Sequence, residues 1–208
     1  MLFSLGKKKP YILGINGSPH KNGIVKDLLE MVLEGAKAKG AEIEMIHLYE
    51  MFIIHEPGYY SEQAKTEIPK NMPKDDIVKI YPKIRRADGL VLATPVYWAN
   101  MSGVMKDFIE HLTALENKDF QLEGKIAAFI AASKENEGGI EMAAMSMVTA
   151  LVQMGVLIPP NGVMWHPGTW VTNEKRIKNW AQEDAPKVGK NMVKLINHLK
   201  KHPIYWEA

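Results

Sequence analysis

The stretch Tyr11-Ile-Leu-Gly-Ile-Asn-Gly-Ser-Pro-His-Lys-Asn-Gly-Ile-Val25 decides the fold. It opens with an apolar run of the kind found in parallel strands that are buried on both faces. A small polar loop with Gly17, Ser18 and Gly23 follows, and a helical pattern then begins. A strand end, a flexible loop and a helix N-terminus together present backbone amides and a positive dipole end to an anion. The pattern therefore predicts a phosphate-binding loop.

The composition is that of an ordinary globular protein. The chain has 208 residues, of which 46% are hydrophobic and 24% charged, with a formal net charge of +2. This length suits one domain over residues 1–208, with a tail at 1–9. Basic residues are spread along the chain without interleaved aromatic residues, which disfavours nucleic-acid binding. No secretory signal and no apolar run of bilayer length is found, so we expect a cytoplasmic protein without membrane contact.

The absence of cysteine excludes several chemistries. With no cysteine in the sequence there is no disulfide, no thiolate nucleophile and no cysteine-ligated zinc or iron-sulfur cluster. The seven histidines show no paired spacing of the kind that binds metals. We therefore expect no metal site.

Short apolar runs alternate with helical patterns along the chain. Strands are predicted at 11–15, 43–48, 89–93 and 126–132, and a fifth is predicted to start at 156–158. Helices are predicted at 25–39, 138–154 and 174–201. Another is predicted to start at Asp75 or Asp76 and run towards Arg86, with a kink or break at Pro82. A further helix is predicted to start after Ser102, which is its N-cap. This alternation predicts an α/β fold with a doubly wound, five-stranded parallel sheet.

The chain has two further features that an interface or a site cover would explain. Residues 49–74 are too long and too weakly patterned for a simple connection, which is typical of a functional loop. The methionines at positions 142, 145, 147 and 154 are spaced like one face of a helix, for which core packing or dimer packing is the expected role.

Ligands of doubly wound sheets bind where the strand order reverses, beyond the carboxyl ends of the strands. The loops that follow predicted strands at this edge are 16–23, 94–102 and 133–139. The first has the phosphate-binding pattern, the second carries Tyr97 and Trp98, and the third contains two glycines before a helix. One loop could hold a phosphate, and the other two could enclose a flat ring.

These residues resemble the flavodoxin-like NAD(P)H-dependent FMN reductases. Within that family, they are similar to the branch related to iron-sulfur flavoproteins and multimeric flavodoxin-type proteins. The resemblance rests on Gly-Ile-Asn-Gly-Ser-Pro-His-Lys-Asn-Gly at 14–23 and on the stretch 87–108. The Pro-Val-Tyr-Trp loop at 95–98 is its most specific part. The resemblance implies a flavodoxin-like sheet of order 2-1-3-4-5 with helices on both faces, and FMN beyond the first and third strands.

The resemblance also implies which residues hold FMN. The phosphate is expected at the first loop, one edge of the isoalloxazine ring at the second, and the other side of the ring at the third. The matching residues are Ser18, His20, Lys21, Asn22, Gly23, Ile24 and Val25, then Pro95, Val96, Tyr97, Trp98 and Asn100, and finally Ser133, Gly138 and Gly139.

The phosphate loop departs from the family pattern at two places. His20 stands where the family usually has arginine, and Ile24-Val25 stand where an Asn-Thr or Asn-Ser pair usually opens the helix. A lost phosphate hydrogen bond costs about 1 to 3 kcal/mol if nothing replaces it. The departures therefore predict weaker FMN binding.

A cysteine motif for the cluster lies in the segment matching 49–74 in iron-sulfur members of this branch. Because this chain has no cysteine, flavin is the only redox group that it visibly supports. The resemblance thus implies an FMN-dependent NAD(P)H oxidoreductase that passes electrons to a small acceptor, such as a quinone or flavin, in a ping-pong cycle. It also implies a homodimer or higher homo-oligomer, and no catalytic side chain is identified.

Two alternatives stay open. One is a non-enzymatic, flavodoxin-like electron carrier or redox-responsive FMN-binding protein, although the balanced charge disfavours the acidic face of a carrier. The other is the same fold with a different phosphorylated ligand, because the phosphate loop departs from the FMN pattern.

Overall fold

A computed structural model of the chain describes residues 8–55, 75–117, 119–133, 139–166 and 179–204. Strands and helices alternate along these residues. In chain order they are β1 Tyr11–Asn16, α1 Ile24–Lys37, β2 Glu42–His47, α2 Tyr81–Arg86, β3 Gly89–Pro95, α3 Gly103–His111, α4 Thr113–Glu116, β4 Ile126–Ala132, α5 Ile140–Gln153, β5 Val163–His166 and α6 Asn179–Lys201. Short 3₁₀ turns lie at Leu48–Glu50 and Asp76–Lys79.

The strands form one parallel sheet of order β2-β1-β3-β4-β5. β1 lies between β2 and β3, and its last residue Asn16 pairs with His47 on one side and Ala93 on the other. Every residue of β1, β3 and β4 is buried, as expected for parallel strands that are covered on both faces. The sequence-based prediction of a five-stranded, doubly wound 2-1-3-4-5 sheet is confirmed.

Helices cover the two faces of the sheet. Leu13 and Ile15 of β1 point into a core formed with α2, α3 and α5, whereas Ile12 points into the core formed with α1 and α6. α1 and α6 approach each other closely at Gly189. A Cβ at this position would lie 1.9 Å from the carbonyl oxygen of Val32, so only glycine fits there. This packing holds α1, and with it the loop that precedes α1, against the sheet.

The fifth strand lies further along the chain than predicted. Leu157 forms only an isolated parallel bridge with Ile126, and the strand itself is β5, which pairs with residues 129–132 of β4. Pro159 and Pro160 lie between the two segments and have no backbone N–H to donate to a ladder. The prediction of a strand starting at 156–158 is therefore wrong in position.

The helix boundaries follow the predicted capping residues. Asp75 accepts a hydrogen bond from the Ile77 N–H at 2.8 Å, and Pro82 lies in the first turn of α2, so the predicted helix is split as expected. Ser102 caps α3 by accepting from the Met105 N–H. The predicted segments 1–7, 56–74 and 174–178 lie outside the described residues. In the described part, no helix is both long enough and apolar enough to span a membrane.

Candidate functional site

The loops after β1 and β3 are joined by a buried hydrogen-bond network. The Ser102 hydroxyl donates to the carbonyl oxygen of Gly17 at 2.7 Å, and the Ser102 N–H donates to Thr94 Oγ1 at 2.9 Å. The Gly17 N–H donates to the carbonyl oxygen of Ala93 at 2.8 Å. A Cβ on Gly17 would lie 3.1 Å from Ser102 Oγ, so glycine permits this close approach. The first two predicted ligand loops therefore form one rigid unit.

The loop after β1 is shaped by its own side chains. Asn16 Oδ1 accepts the Ser18 N–H at 2.9 Å, so the Asn16 amide nitrogen faces His47 Nδ1, 3.1 Å away. Because that amide nitrogen donates, the His47 Nδ1 atom accepts. The His20 N–H then donates to Ser18 Oγ at 3.2 Å. These contacts hold the loop in an open turn in front of α1.

Two sets of donors in this loop, the Ser18 hydroxyl and the first amides of α1, have no acceptor or side-chain cap among the described residues. The Ser18 residue is 4% exposed, and no described residue accepts its hydroxyl proton, although its oxygen accepts from His20. α1 begins after Gly23, which supplies no side-chain cap. A buried hydroxyl and the first turn of an uncapped 14-residue helix are groups that a phosphate satisfies. The loop therefore fits the phosphate of FMN through backbone amides and one hydroxyl.

The other predicted residues of the first loop divide by exposure. His20, Lys21 and Asn22 are exposed, and Ile24 is half-buried. Val25 is buried in the core beneath α1, so only its backbone is available to a ligand.

The loop after β3 ends in a tight turn. Tyr97 and Asn100 exchange two backbone hydrogen bonds of 2.9 and 3.0 Å, and the turn residues Trp98 and Ala99 have φ values of +50° and +58°. Such a turn favours Asn and Gly, so a Trp-Ala pair stores strain. Trp98 is fully exposed and Tyr97 is partly exposed. β3 ends before these two aromatic residues, at Pro95, so the turn and not the strand sets their orientation.

The Asn100 side chain is oriented by its neighbours. Its Oδ1 accepts from the Met101 N–H at 2.8 Å and from the Ser146 hydroxyl of α5 at 3.0 Å. A backbone N–H can only donate, so the contacted atom is the oxygen and the amide nitrogen points elsewhere. Asn100 is exposed, and no described residue accepts from its amide nitrogen. This nitrogen is a pre-oriented donor at the edge of the ring loop.

The third loop reaches the same place. Gly139 precedes α5 with φ +100°, and a Cβ there would lie only 2.4 Å from Ala99 Cβ. Val96 is half-buried against the start of α5, and its N–H donates to the carbonyl oxygen of Ala132 at 3.1 Å. Ser133 is half-buried directly after β4. Gly138 lies outside the described residues. The structure thus brings parts of all three predicted loops together at one edge of the sheet.

The turn after β2 also belongs to this edge, which the sequence-based reasoning missed. Lys21 of the first loop forms an ion pair with Glu50, with 2.5 Å between Nζ and Oε1. Burial, and to a smaller extent the electrostatic effect of the Tyr97 phenol, raises the pKa of Tyr49. The signal was the strand order itself, because β2 lies beside β1 and its carboxyl end is at the same edge.

The sheet order and the loops at its switch point define a flavodoxin-like α/β protein, and the donors of its first loop suit an anion. The chain belongs to the NADPH-dependent FMN reductase family, whose family model matches residues 10–170. An iron-sulfur flavoprotein of Archaeoglobus fulgidus is 32% identical over 158 residues, 76% of this chain and 75% of the relative. An NAD(P)H dehydrogenase (quinone) of Paracoccus denitrificans is 24% identical over 136 residues, 65% of this chain and 61% of the relative.

Solved structures show the same fold. RosB with a bound 8-demethyl-8-formylriboflavin-5'-phosphate intermediate superposes with a TM-score of 0.76 at 21% identity, covering 94% of this chain and 82% of RosB. The NAD(P)H:quinone oxidoreductase of Methanothermobacter marburgensis superposes with a TM-score of 0.66 at 18% identity. The match covers 89% of this chain and 96% of that oxidoreductase.

Family membership supports an FMN-dependent oxidoreductase. Several relatives are named iron-sulfur flavoproteins, yet this chain contains no cysteine. It therefore has no thiolate with which to ligate a cluster.

Proposed function

We propose that the protein is an FMN-dependent oxidoreductase that takes electrons from NAD(P)H and passes them to a small acceptor in a ping-pong cycle. The observation that carries this proposal is the buried Ser18 hydroxyl, for which the described residues offer no acceptor, in the loop that leads to the N-terminus of α1, where no side chain caps the helix. The aromatic loop with Tyr97 and Trp98 lies at the same sheet edge. Family membership supports FMN as the bound group.

The chain's own residues would bind and orient the cofactor. The Ser18 hydroxyl and the backbone amides of residues 23–25 would hold the phosphate, and the Asn100 amide nitrogen would donate to the polar edge of the ring. Tyr97 and Trp98 are the aromatic side chains placed to pack against the ring. FMN itself supplies the hydride and electron chemistry when bound. The protein needs no side-chain acid or base for that chemistry, and none is assigned.

The test combines binding and reduction. FMN and riboflavin are titrated into wild type and Ser18→Ala, and each complex is mixed anaerobically with NADPH and with NADH. We expect Ser18→Ala to weaken FMN about tenfold, as loss of a hydrogen bond to a charged group does, and to leave riboflavin binding unchanged. Nucleotide should bleach bound FMN in wild type. Failure to bind FMN would overturn the enzyme proposal. Binding of FMN that neither nucleotide bleaches would also overturn it, and would favour an electron carrier instead.

We further propose a homodimer or higher homo-oligomer, supported by α5. Met142, Met145 and Val152 form an exposed apolar stripe on a helix whose single charged residue is Glu141. A small-molecule acceptor, a cytoplasmic location and the absence of nucleic-acid partners remain predictions from the sequence.

A further inference from the structure

Lys21 is the lysine of the candidate phosphate loop, and it is held by an acid from a neighbouring strand connection. Its Nζ lies 2.5 Å from Glu50 Oε1, and both side chains are substantially exposed. Hydrogen bonding and the charge of Lys21 lower the pKa of Glu50, so the carboxylate is ionised at neutral pH. An exposed pair of this kind contributes little to folding. Its effect lies instead in the local potential at the loop.

The remaining charges do not compensate for this pairing. Lys26, in the first turn of α1, forms a 2.6 Å ion pair with Glu30, and Asp27 adds a negative charge in the same turn. Among the described residues near the loop, Lys21 and Lys26 are therefore each paired with a carboxylate. A helix N-terminus prefers an anion, but these carboxylates lower the potential that an incoming phosphate meets.

The backbone that carries Glu50 is anchored, whereas the Lys21 side chain lies largely in solvent. The 3₁₀ turn Leu48–Glu50 is anchored by the fully buried Leu48 side chain, and the Met51 N–H donates back to the Leu48 carbonyl oxygen at 3.1 Å. Lys21 lies on the exposed part of the loop, with 73% of its side chain accessible. A phosphate carries more charge and more acceptor oxygens than a carboxylate, so it can take Lys21 from Glu50 by rotation of the lysine side chain alone.

We propose that Glu50 is a competing anion for Lys21, and that this pair sets the affinity of the loop for the phosphate of its ligand. Binding of the phosphomonoester exchanges the Glu50 carboxylate for the phosphate on the lysine. The pair acts as a latch that keeps the phosphorylated flavin exchangeable and restricts its affinity. This inference rests on the proposed function, because it deepens the account of the same site.

The experiment is a set of titrations with FMN and riboflavin, which share the ring and differ in the phosphate. The proteins are wild type, Glu50→Gln, Lys21→Gln, the double variant, and Glu34→Gln as control. Glu34 forms a similarly exposed ion pair with Lys37 at the opposite end of α1. We expect Glu50→Gln to tighten FMN about two- to fivefold, the range that an exposed ion pair allows. Riboflavin affinity and the control should not change.

The double variant separates the latch from a general charge effect. With Lys21 already replaced, Glu50→Gln should no longer tighten FMN. The proposal is overturned if Glu50→Gln leaves FMN affinity unchanged or lowers it, if riboflavin tightens equally, or if the gain persists without Lys21. If wild type binds no FMN, the proposed function fails separately. Inorganic phosphate is then the probe. It should raise the melting temperature of Glu50→Gln more than that of wild type. An equal or smaller rise in Glu50→Gln would overturn the competition between Glu50 and the phosphate.

Discussion

The hydroxyl of Ser102 donates to the carbonyl oxygen of Gly17 across 85 positions of the chain, at 2.7 Å. Ser102 Oγ also accepts a hydrogen bond from the Met105 N–H and so caps α3. A single buried side chain thus joins the start of α3 to the phosphate loop. The loop geometry and the stability of α3 depend on the same atom.

Ser102→Ala should therefore lower both stability and FMN affinity. Loss of an N-cap and of one buried hydrogen bond costs about 1 to 3 kcal/mol in the free energy of unfolding. Urea unfolding measures this cost, and flavin fluorescence measures the affinity. Thr149→Ala is the control, because that residue is exposed and its hydroxyl donates to the Met145 and Ser146 carbonyl oxygens of its own helix. A change below about 0.5 kcal/mol in Ser102→Ala, the range of ordinary surface substitutions, would contradict the role of Ser102.

Gly139→Ala should disturb the contact between the second and third loops. The new Cβ would lie 2.4 Å from Ala99 Cβ at a φ of +100°, so both sterics and backbone oppose it. We expect a loss of about 1 to 3 kcal/mol together with weaker flavin binding. Gly103→Ala is the matched control, because Gly103 opens α3 and, apart from its chain neighbours and its own helix backbone, no described residue has an atom within 4 Å of the new Cβ. Equal effects of the two substitutions would rule out the packing explanation.

The turn at Trp98 and Ala99 predicts a trade between stability and function. Replacing the pair by Asn-Gly suits the positive φ values and should stabilise the fold by about 0.5 to 2 kcal/mol. If Trp98 packs on the ring, the double variant should also lose FMN affinity or its rate of reduction by NAD(P)H. Ala99→Gly alone keeps Trp98, so it should gain part of the stability without that loss. Thermal unfolding and stopped-flow absorbance at the flavin band provide the two measurements.

Glu44 predicts an acid-dependent contribution to stability. Burial raises the pKa of Glu44, but hydrogen bonds from Lys83 and Tyr11 outweigh it, so the pKa is lowered overall. A carboxyl group with a lowered pKa stabilises the fold above its unfolded pKa of about 4.3 and loses this contribution as the pH falls through its folded pKa.

Glu44→Gln should thus cost stability at pH 7, by about 0.5 to 1 kcal/mol because the group is partly exposed. The difference from wild type should shrink as the pH falls below about 4. Urea unfolding at a series of pH values tests this, with Glu34→Gln as an exposed control. A difference that stays constant down to pH 3 would show that the charge of Glu44 is not responsible.

Local signals were sufficient for most of the fold. The apolar run of β1, the glycines after it and the cap at Ser102 each predict structure from residues close together in sequence. The fifth strand was misplaced because either apolar segment could pair with β4. Both segments meet β4, but the first forms a single bridge before Pro159 and Pro160, and the ladder forms only at β5.

The candidate site was predictable where its residues directly follow β1, β3 and β4. Glu50 and Tyr49 were missed because they lie at the start of a segment, 49–74, that has no recognisable pattern. Their proximity to Lys21 and Tyr97 results from β2 lying beside β1, which is a non-local fact. The strain at Trp98 was also invisible in the sequence, because a Trp-Ala pair gives no signal for positive φ values.

The exposed stripe on α5 predicts that charge will separate the subunits of the proposed oligomer. An uncharged stripe can face its own copy across a two-fold axis without like-charge repulsion, and Met142 and Met145 form its centre. Replacing both by lysine should weaken association at least about tenfold, as expected for central interface residues. Light scattering after size exclusion should then give the 23.4 kDa monomer for this variant and a multiple of it for wild type. Val78→Lys is the control, since this exposed apolar residue lies on the separate 3₁₀ turn Asp76–Lys79. A wild-type protein that stays monomeric at all concentrations, or a lysine variant with the wild-type mass, would show that α5 is not the interface.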